Sequence, residues 1–371
     1  AARVAAAAFA RLAAWLAERP AAPPAAMARG AATYDLLLAR GHWCARPAGE
    51  LLLEAYALLA GARGRLAELA GAAAGSWDAV QARLADDHPA PADYLASFAR
   101  TWQACRDTSE ALDLVTWPAA PEWPLRYEPF PAWTADVAPS LYYLYYRSPA
   151  PCDPYDAERG YAYVVPPLPD DEAARAAHLR AWNHATIKLN HVVHHGAIGH
   201  HVQNWHARHR ARSRVGRVAA VDAASRIGMF GGGTMAEGWA CYATVLMEEV
   251  GFLTPLERVA EAHSQVRFLA RAVIDLALHR GEMGYDAAVR FWTEQVGAAP
   301  EAAAAEVTRA SMFPGTAIMY WLGTRTILEL RDAMRRREGP AFTLRGFHDA
   351  LLAHGAIPVP LAARLMAEGG A

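Results

Sequence analysis

Apolar residues recur at helical spacing along almost the whole chain, and a single segment interrupts the pattern. Residues 1–112 predict helices separated by proline-rich and glycine-rich breaks. Between about residues 117 and 169, prolines and aromatic residues are concentrated, and Leu141–Tyr146 and Tyr161–Val165 have the composition of short strands. Helical patterns resume after Asp170 and continue to the end. The chain is therefore predicted to be mostly α, with a small β insertion.

This change of character divides the chain into an N-terminal helical region, 1–112, and a core region, 113–371, which could also form one continuous domain. Within the core region the helix candidates are 170–195, 200–213, 235–250, 255–280, 284–296, 299–311, 315–337 and 343–353.

Composition excludes several classes of protein. The formal net charge is −2, so no basic surface for nucleic acid is expected. No run of 18 uncharged apolar residues could span a membrane. The first twenty residues are interrupted by charges and predict an amphipathic helix instead of a secretion signal. Four separated cysteines without a CxxC pair argue against disulfides or a cysteine zinc site, which predicts a reducing, cytoplasmic location.

Histidines are concentrated in one segment. Nine of the fifteen lie between His178 and His209, and imidazole is the commonest metal-binding side chain. His194 and His200 are six residues apart and would diverge on a straight helix. A bulge in the backbone would let them converge, and the glycines at 196 and 199 permit one.

Glu237 is the natural third ligand, because two imidazoles and one carboxylate form catalytic zinc and non-haem iron sites. Thr234 and Glu237 also have the spacing of a capping box, in which the carboxylate would only bond the backbone at the start of a helix. Local spacing leaves both interpretations open.

Five motifs resemble, in order and spacing, those of a large bacterial family of proposed zinc metallopeptidases that is catalogued mainly as a domain of unknown function. The family patterns are His-Glu-x-x-Pro-Gly-His-His-x-Gln, Glu-Gly-Trp-Ala-x-Tyr-Ala-Glu, Asp-x-x-Leu-His, Arg-Tyr-x-x-x-Pro-Gly-Gln and Phe-His-Asp-x-x-Leu. The matching stretches are His194–Gln203, Glu237–Thr244, Asp275–His279, Arg309–Thr316 and Phe347–Leu352. The resemblance implies a helical, gluzincin-like metallopeptidase fold with the β insertion ahead of the metal-site helix.

The resemblance also implies roles for individual residues. One divalent metal, zinc or alternatively iron, would be bound by His194, Glu237 and either His200 or His201, of which we favour His200. His279 and Arg309 would be catalytic residues: His279 would face the cleft, and Arg309 matches a family arginine near a tyrosine that could polarise the substrate carbonyl. His201, Tyr242 and the single lysine, Lys188, are assigned to contacts with the substrate or support of the ligands.

The chain departs from the family patterns at the positions that carry the chemistry. The glutamate that acts as the general base in zinc peptidases is His195 here. The family Tyr, Gln and second Glu are Ala310, Thr316 and Thr244. His195 could be the base, since its ordinary pKa of about 6.5 suits proton transfer near neutral pH. It could also be a fourth ligand, or a buried polar residue without a role.

Three functions follow from these observations. The first is a metal-dependent hydrolase that acts on a peptide or a related small-molecule amide. The second is a metalloenzyme of other chemistry, such as a non-haem iron oxygenase or a lyase. The third is a descendant that binds a metal or ligand without catalysis.

Overall fold

The computed structural model describes residues 2–20, 24–118, 125–131, 146–148, 160–218 and 227–368. Helices dominate these residues, as predicted. In the first half they are α1 (Ala2–Ala17), α2 (Ala31–Arg40), α3 (Ala48–Ala74), α4 (Trp77–Asp86), α5 (Tyr94–Ala111), α6 (Glu172–Ala181) and α7 (His184–Thr186), which continues as a π-helix (Ile187–Gly196). The second half has α8 (His200–His209), α9 (Arg214–Val218), α10 (Ile227–Glu249), α11 (Pro255–Arg280), α12 (Tyr285–Val296), α13 (Pro300–Met312), α14 (Met319–Glu338), α15 (Leu344–Leu352) and α16 (Val359–Glu368).

The first apolar core lies between α3 and α11, the two longest helices, which pack along each other. Leu51, Ala55 and Leu59 of α3 are buried in the same cluster as Val266 and Val273 of α11. Helix α11 begins with a capping box formed by Thr254 and Glu257, and a left-handed glycine follows its last residue. This core joins residues from the N-terminal helices to the C-terminal half of the chain.

The second core lies between α5, the π-helix, α10 and a small three-stranded sheet. The strands are β1 (Arg126–Pro129), β2 (Tyr146–Arg147) and β3 (Ala162–Val165), in the order β1-β3-β2. The central strand, β3, is buried along its whole length and pairs in parallel with β1 and antiparallel with β2. The predicted β insertion ahead of the histidine-rich helix is therefore present.

Two features of the elements differ from the sequence predictions. Strand β1 was not predicted, whereas Leu141–Tyr145, predicted as most of a strand, lies outside the described residues. Helix α10 was expected to start at residue 235 but begins at Ile227. Glu237 therefore lies in the interior of this helix, and the interpretation of Glu237 as a helix cap is wrong.

Helices α10 and α14 approach each other at a pair of glycines. A methyl group added to Gly238 would lie 2.5 Å from Gly323 Cα, and one added to Gly323 would lie 2.1 Å from the carbonyl oxygen of Thr234. Both distances are far below ordinary van der Waals contact, so only glycine allows this crossing. Glu237 of α10 and Tyr320 of α14 therefore lie on two helices whose backbones are in direct contact. Across the described residues, no helix is both long and apolar enough to span a bilayer.

Candidate metal centre

A helix break, at which the chain itself is continuous, separates the two histidines that were predicted to bind a metal. The π-helix ends at Gly196 and α8 begins at His200. Between them the amide of Gly199 donates to Val193 O at 2.9 Å, which folds the chain back towards the π-helix. A side chain at 199 would lie 1.9 Å from the carbonyl oxygen of His194, so this turn requires glycine.

Two buried indoles stabilise the break. Trp102 Nε1 of α5 donates to Gly196 O at 2.6 Å, and Trp239 Nε1 of α10 donates to Ile198 O at 2.8 Å. Carbonyls that a helix break leaves without backbone donors are costly when buried. The two tryptophans satisfy these carbonyls, and they attach the break to the helices on either side.

The break brings His194 and His200 to one carboxylate oxygen. The Nε2 atoms of His194 and His200 lie 3.3 and 3.4 Å from Glu237 Oε2. These distances are longer than ordinary N–H···O hydrogen bonds of about 2.9 Å. They match the roughly 3.3 Å that separates neighbouring ligand atoms around a tetrahedral zinc ion with bonds of about 2.0–2.1 Å. The donor set and its spacing therefore fit a divalent metal.

The electrostatics of Glu237 suit a ligand. Burial opposes its ionisation, but the neighbouring imidazoles of His200 and His194 outweigh that effect and hold its pKa well below the usual value. Behind His194, the thiol of Cys241 lies 4.0 Å from Nδ1. Burial, followed by the charge of Glu237, raises the pKa of this thiol well above its usual value. The protonated thiol can orient the imidazole of His194 as outer partners of metal ligands do.

His195 belongs to the same cluster. One ring nitrogen from each of His194, His195 and His200 lies within 4.8 Å of the others. His195 Nδ1 donates to Asn190 O at 2.6 Å, which leaves Nε2 without a proton in the neutral ring. Burial, and then the neighbouring imidazoles of His194 and His200, lower the pKa of His195 well below its usual value. His195 therefore offers a lone pair beside the two metal-ligand candidates.

His201 points away from this cluster. Its ring packs edge-on against Tyr161 with centroids 4.9 Å apart, and its Nδ1 lies 3.5 Å from Tyr146 Oη. Burial and the charge of Arg106 lower its pKa to about 3. The structure therefore brings His200 to Glu237, and His201 packs against the sheet.

A cavity of about 1020 Å³ opens beside the cluster. His194, His195 and Glu237 form one part of its wall. Arg309 of α13 also lines the cavity and donates from Nη2 to Tyr320 Oη at 3.1 Å. Burial and the charge of Glu237 raise the pKa of Tyr320, so its phenol keeps its proton and can donate a hydrogen bond into the cavity.

Besides His200 and His201, three predicted site residues are absent from the lining of this cavity in the described part of the chain. Lys188 Nζ donates to Glu257 at 2.7 Å and to Phe252 O at 3.0 Å, and so anchors the start of α11. Tyr242 Oη lies 2.7 Å from His348 Nε2 and accepts from Arg331 at 3.2 Å. Tyr242 is five residues after Glu237, about 140° around the helix, which directs it to the opposite side.

The third residue, His279, was expected in the cleft and is instead fully buried at the end of α11. Its Nε2 lies 2.9 Å from Ala310 O and its Nδ1 lies 3.2 Å from Met27 O. His279 is eight residues beyond the cavity-lining Arg271, roughly 12 Å along the helix axis. It joins α11 to α13 and to the segment before α2.

Comparisons with known proteins agree with this architecture. The family model described as a bacterial protein of unknown function, DUF885, matches residues 1–366. The chain belongs to the DUF885 family. No curated protein resembles the chain closely enough to count as a relative.

Two solved structures share the fold of this DUF885 chain. A candidate lipoprotein of unknown function from Shewanella oneidensis superposes with a TM-score of 0.75 at 19% identity, and the match covers 97% of this chain and 63% of the other. A candidate lipoprotein from Colwellia psychrerythraea gives 0.73 at 21% identity, with 91% and 55% covered. The chain thus spans less than two thirds of the length of either protein, and the likeness concerns the fold.

Sequence reasoning missed three residues that line the cavity of the DUF885 site. Tyr320 was overlooked because it lies beyond the Arg309–Thr316 motif, although only four residues after it. Arg267 and Arg271 also line the cavity. Their spacing of four residues on a predicted helix was a signal that both would lie on one face.

Proposed function

We propose that this DUF885 protein is a metal-dependent hydrolase that cleaves an amide bond in a peptide or a related small molecule, with zinc as its metal. The observation that carries the proposal is the convergence of His194 and His200 on Glu237, with His194 and Glu237 lining a cavity large enough for a peptide. Two imidazoles and one carboxylate leave coordination positions open, as catalytic zinc sites do. A zinc ion held there would polarise the substrate carbonyl and lower the pKa of a water molecule.

His195 is the general base in this proposal. Its Nδ1 is held by Asn190 O, so Nε2 is the atom that accepts a proton. It takes that proton from water as the water oxygen attacks the carbonyl carbon. It returns the proton to the amine nitrogen when the C–N bond breaks. The lowered pKa keeps the ring neutral, and therefore able to accept, near neutral pH.

Tyr320 and Arg309 support the carbonyl oxygen in this proposal. Tyr320 lines the cavity, where its phenol interacts electrostatically with Glu237 and accepts a hydrogen bond from the guanidinium of Arg309. Its O–H donates to the oxygen that becomes negative as the water attacks. Tyr320 thereby supplies the phenol that the family pattern places at the position of Ala310.

A second candidate function follows from His195. Two histidines and one carboxylate are also the ligand set of non-haem iron oxygenases. A third imidazole within 4.8 Å of the other two could act as a further ligand and leave the site without a base. This candidate requires iron, and turnover that depends on oxygen.

Metal content separates the two candidates. We expect about one equivalent of zinc in protein purified without chelator, and iron would favour the oxygenase. Glu237→Ala should lose the metal, whereas Glu301→Ala, an exposed glutamate on α13, should keep it. Protein that binds neither metal would overturn both candidates.

The role of His195 is tested by two substitutions. His195→Ala should keep the metal and lose hydrolysis of a peptide library by at least a hundredfold, since general bases contribute roughly 10²–10⁴-fold. Loss of metal in this variant would make His195 a ligand. His195→Glu restores the base of the peptidase pattern and should restore or increase hydrolysis.

A further inference from the structure

Arginines are concentrated on the cavity wall formed by α11 and α13. Arg267, Arg271 and Arg309 all line the cavity there. Glu306 is the acidic side chain that α13 adds to this wall, and both its oxygens accept from Arg271, at 2.8 and 3.0 Å. Glu306 is therefore already bound by Arg271, while its charge also acts on Arg267 and Arg309.

Arg267 has an unused guanidinium. Among the described residues it makes no hydrogen bond or ion pair, although it is only partly exposed and faces the cavity. Burial, and then repulsion from Arg271, lower its pKa to about 10. A guanidinium kept out of bulk water without an acceptor is unfavourable. Its surroundings therefore favour an anion beside it, and the described residues offer only the charge of Glu306, which Arg271 already binds.

The remaining acidic groups of the cavity are already engaged. Glu237 is held by His194 and His200. Glu261 accepts hydrogen bonds from Thr244 and Gln265, and burial raises its pKa to about 7. Neither group makes an ion pair with Arg267 among the residues the structure describes. Among the described residues, Arg267 therefore has no acidic partner, and an anionic ligand in the cavity could supply one.

The arginines lie directly beside the proposed reacting centre. Arg271 Cζ is 4.9 Å from the ring centroid of Tyr320, and Arg309 bonds the phenol of the same residue. Arg267 interacts electrostatically with both Arg309 and Tyr320, so an anion bound by Arg267 and Arg309 would lie near the carbonyl site at Tyr320. A peptide backbone advances about 3.3–3.6 Å per residue. A carboxylate bound this near to the carbonyl site would belong to a residue close to the cleaved amide, on its leaving side.

We propose that Arg267, with Arg309, binds the C-terminal carboxylate of the substrate, so that the enzyme is a carboxypeptidase that releases one terminal residue. The inference rests on the proposed function, because the carboxylate is located relative to that amide-cleaving site. Guanidinium groups match the two oxygens of a carboxylate, which makes arginine suited to this recognition.

Binding tests the carboxylate subsite without turnover. By calorimetry, His195→Ala protein loaded with zinc should bind N-acetyl-Ala-Phe as the free acid at least tenfold more tightly than the C-terminal amide, since a hydrogen bond to a charged group contributes roughly a tenfold or greater factor. Arg267→Met should reduce this preference to less than threefold. Arg267→Lys should retain part of the preference, because lysine keeps the positive charge but cannot donate the two parallel hydrogen bonds of a guanidinium.

Arg258→Met is the matched control, since Arg258 is an exposed arginine on the same helix and pairs with Glu248 at the surface. It should leave the preference unchanged. Equal binding of acid and amide by the unsubstituted chain would overturn the inference. So would inorganic phosphate that displaces the free acid in an Arg267-dependent manner and binds more tightly. If the free acid binds more tightly but the protein with His195 intact hydrolyses no peptide, the proposed function is overturned and the carboxylate site remains.

Discussion

Replacing Gly323 with alanine tests the contact that holds the two sides of the site together. The added methyl group would lie 2.1 Å from Thr234 O and 2.7 Å from Gly238 Cα, whereas ordinary contacts begin at 3.4 Å. The helices α10 and α14 must therefore separate by about 1 Å, and overpacking of this kind costs about 1–3 kcal/mol. The better helix propensity of alanine offsets roughly 0.5–1 kcal/mol. We expect a net loss of about 1–2 kcal/mol in the free energy of unfolding.

Urea denaturation followed by circular dichroism measures this change, and Gly61→Ala is its control. Gly61 also lies inside a helix, but a methyl group there meets nothing within 4 Å. Gly61→Ala should therefore stabilise the protein by about 0.5–1 kcal/mol. Gly323→Ala should also bind zinc more weakly, because Glu237 adjoins the displaced Gly238. A Gly323→Ala protein as stable as the Gly61→Ala protein would refute the close crossing.

Three further predictions concern single side chains. Lys188→Met should lower the free energy of unfolding by about 3 kcal/mol without loss of metal, since it leaves the buried Glu257 without its cation. A loss of metal would show that Lys188 supports the metal site. Burial raises the pKa of Glu261 from 4.5 to about 7, so the folded state is protonated where the unfolded state is ionised, and stability falls as pH rises from 4.5 to 7. Glu261→Gln should reduce the difference between the unfolding free energies at pH 4.5 and pH 8 by about 3 kcal/mol. An unchanged difference would contradict the raised pKa of Glu261. Trp239→Phe should lower the free energy of unfolding by about 1–3 kcal/mol and weaken zinc binding, because Ile198 O loses its donor. An unchanged zinc titration would show that the helix break does not depend on this hydrogen bond.

Periodicity and composition predicted the helices well because they depend on nearby residues. Helix α11 begins and ends at the predicted residues, since Pro255 and the glycine after Arg280 mark its limits locally. Strand β1 escaped prediction because it is defined by parallel pairing with β3, more than thirty residues away. Such a pairing leaves little trace in a four-residue segment that is mostly exposed.

The candidate site shows the same division. The glycines around residue 198 indicated a bulge, and the structure has a break there. The directions of Tyr242 and His279 could not be read from their motifs, because a motif gives the order of residues but not the face on which each lies. The arginine wall was missed because it combines α11 with α13, which only the packed fold brings together.

The cavity lies between the two apolar cores, and this position has a thermodynamic consequence. Leu84 and Ala185, which belong to the α3–α11 core, line the cavity, and so do His191 and His194 of the π-helix, which packs in the second core. A substrate that contacts both sides acts as a non-covalent cross-link. Its binding free energy is added to the cost of opening either core. Saturating substrate should therefore slow amide hydrogen exchange in both halves at once, including helices that never touch it.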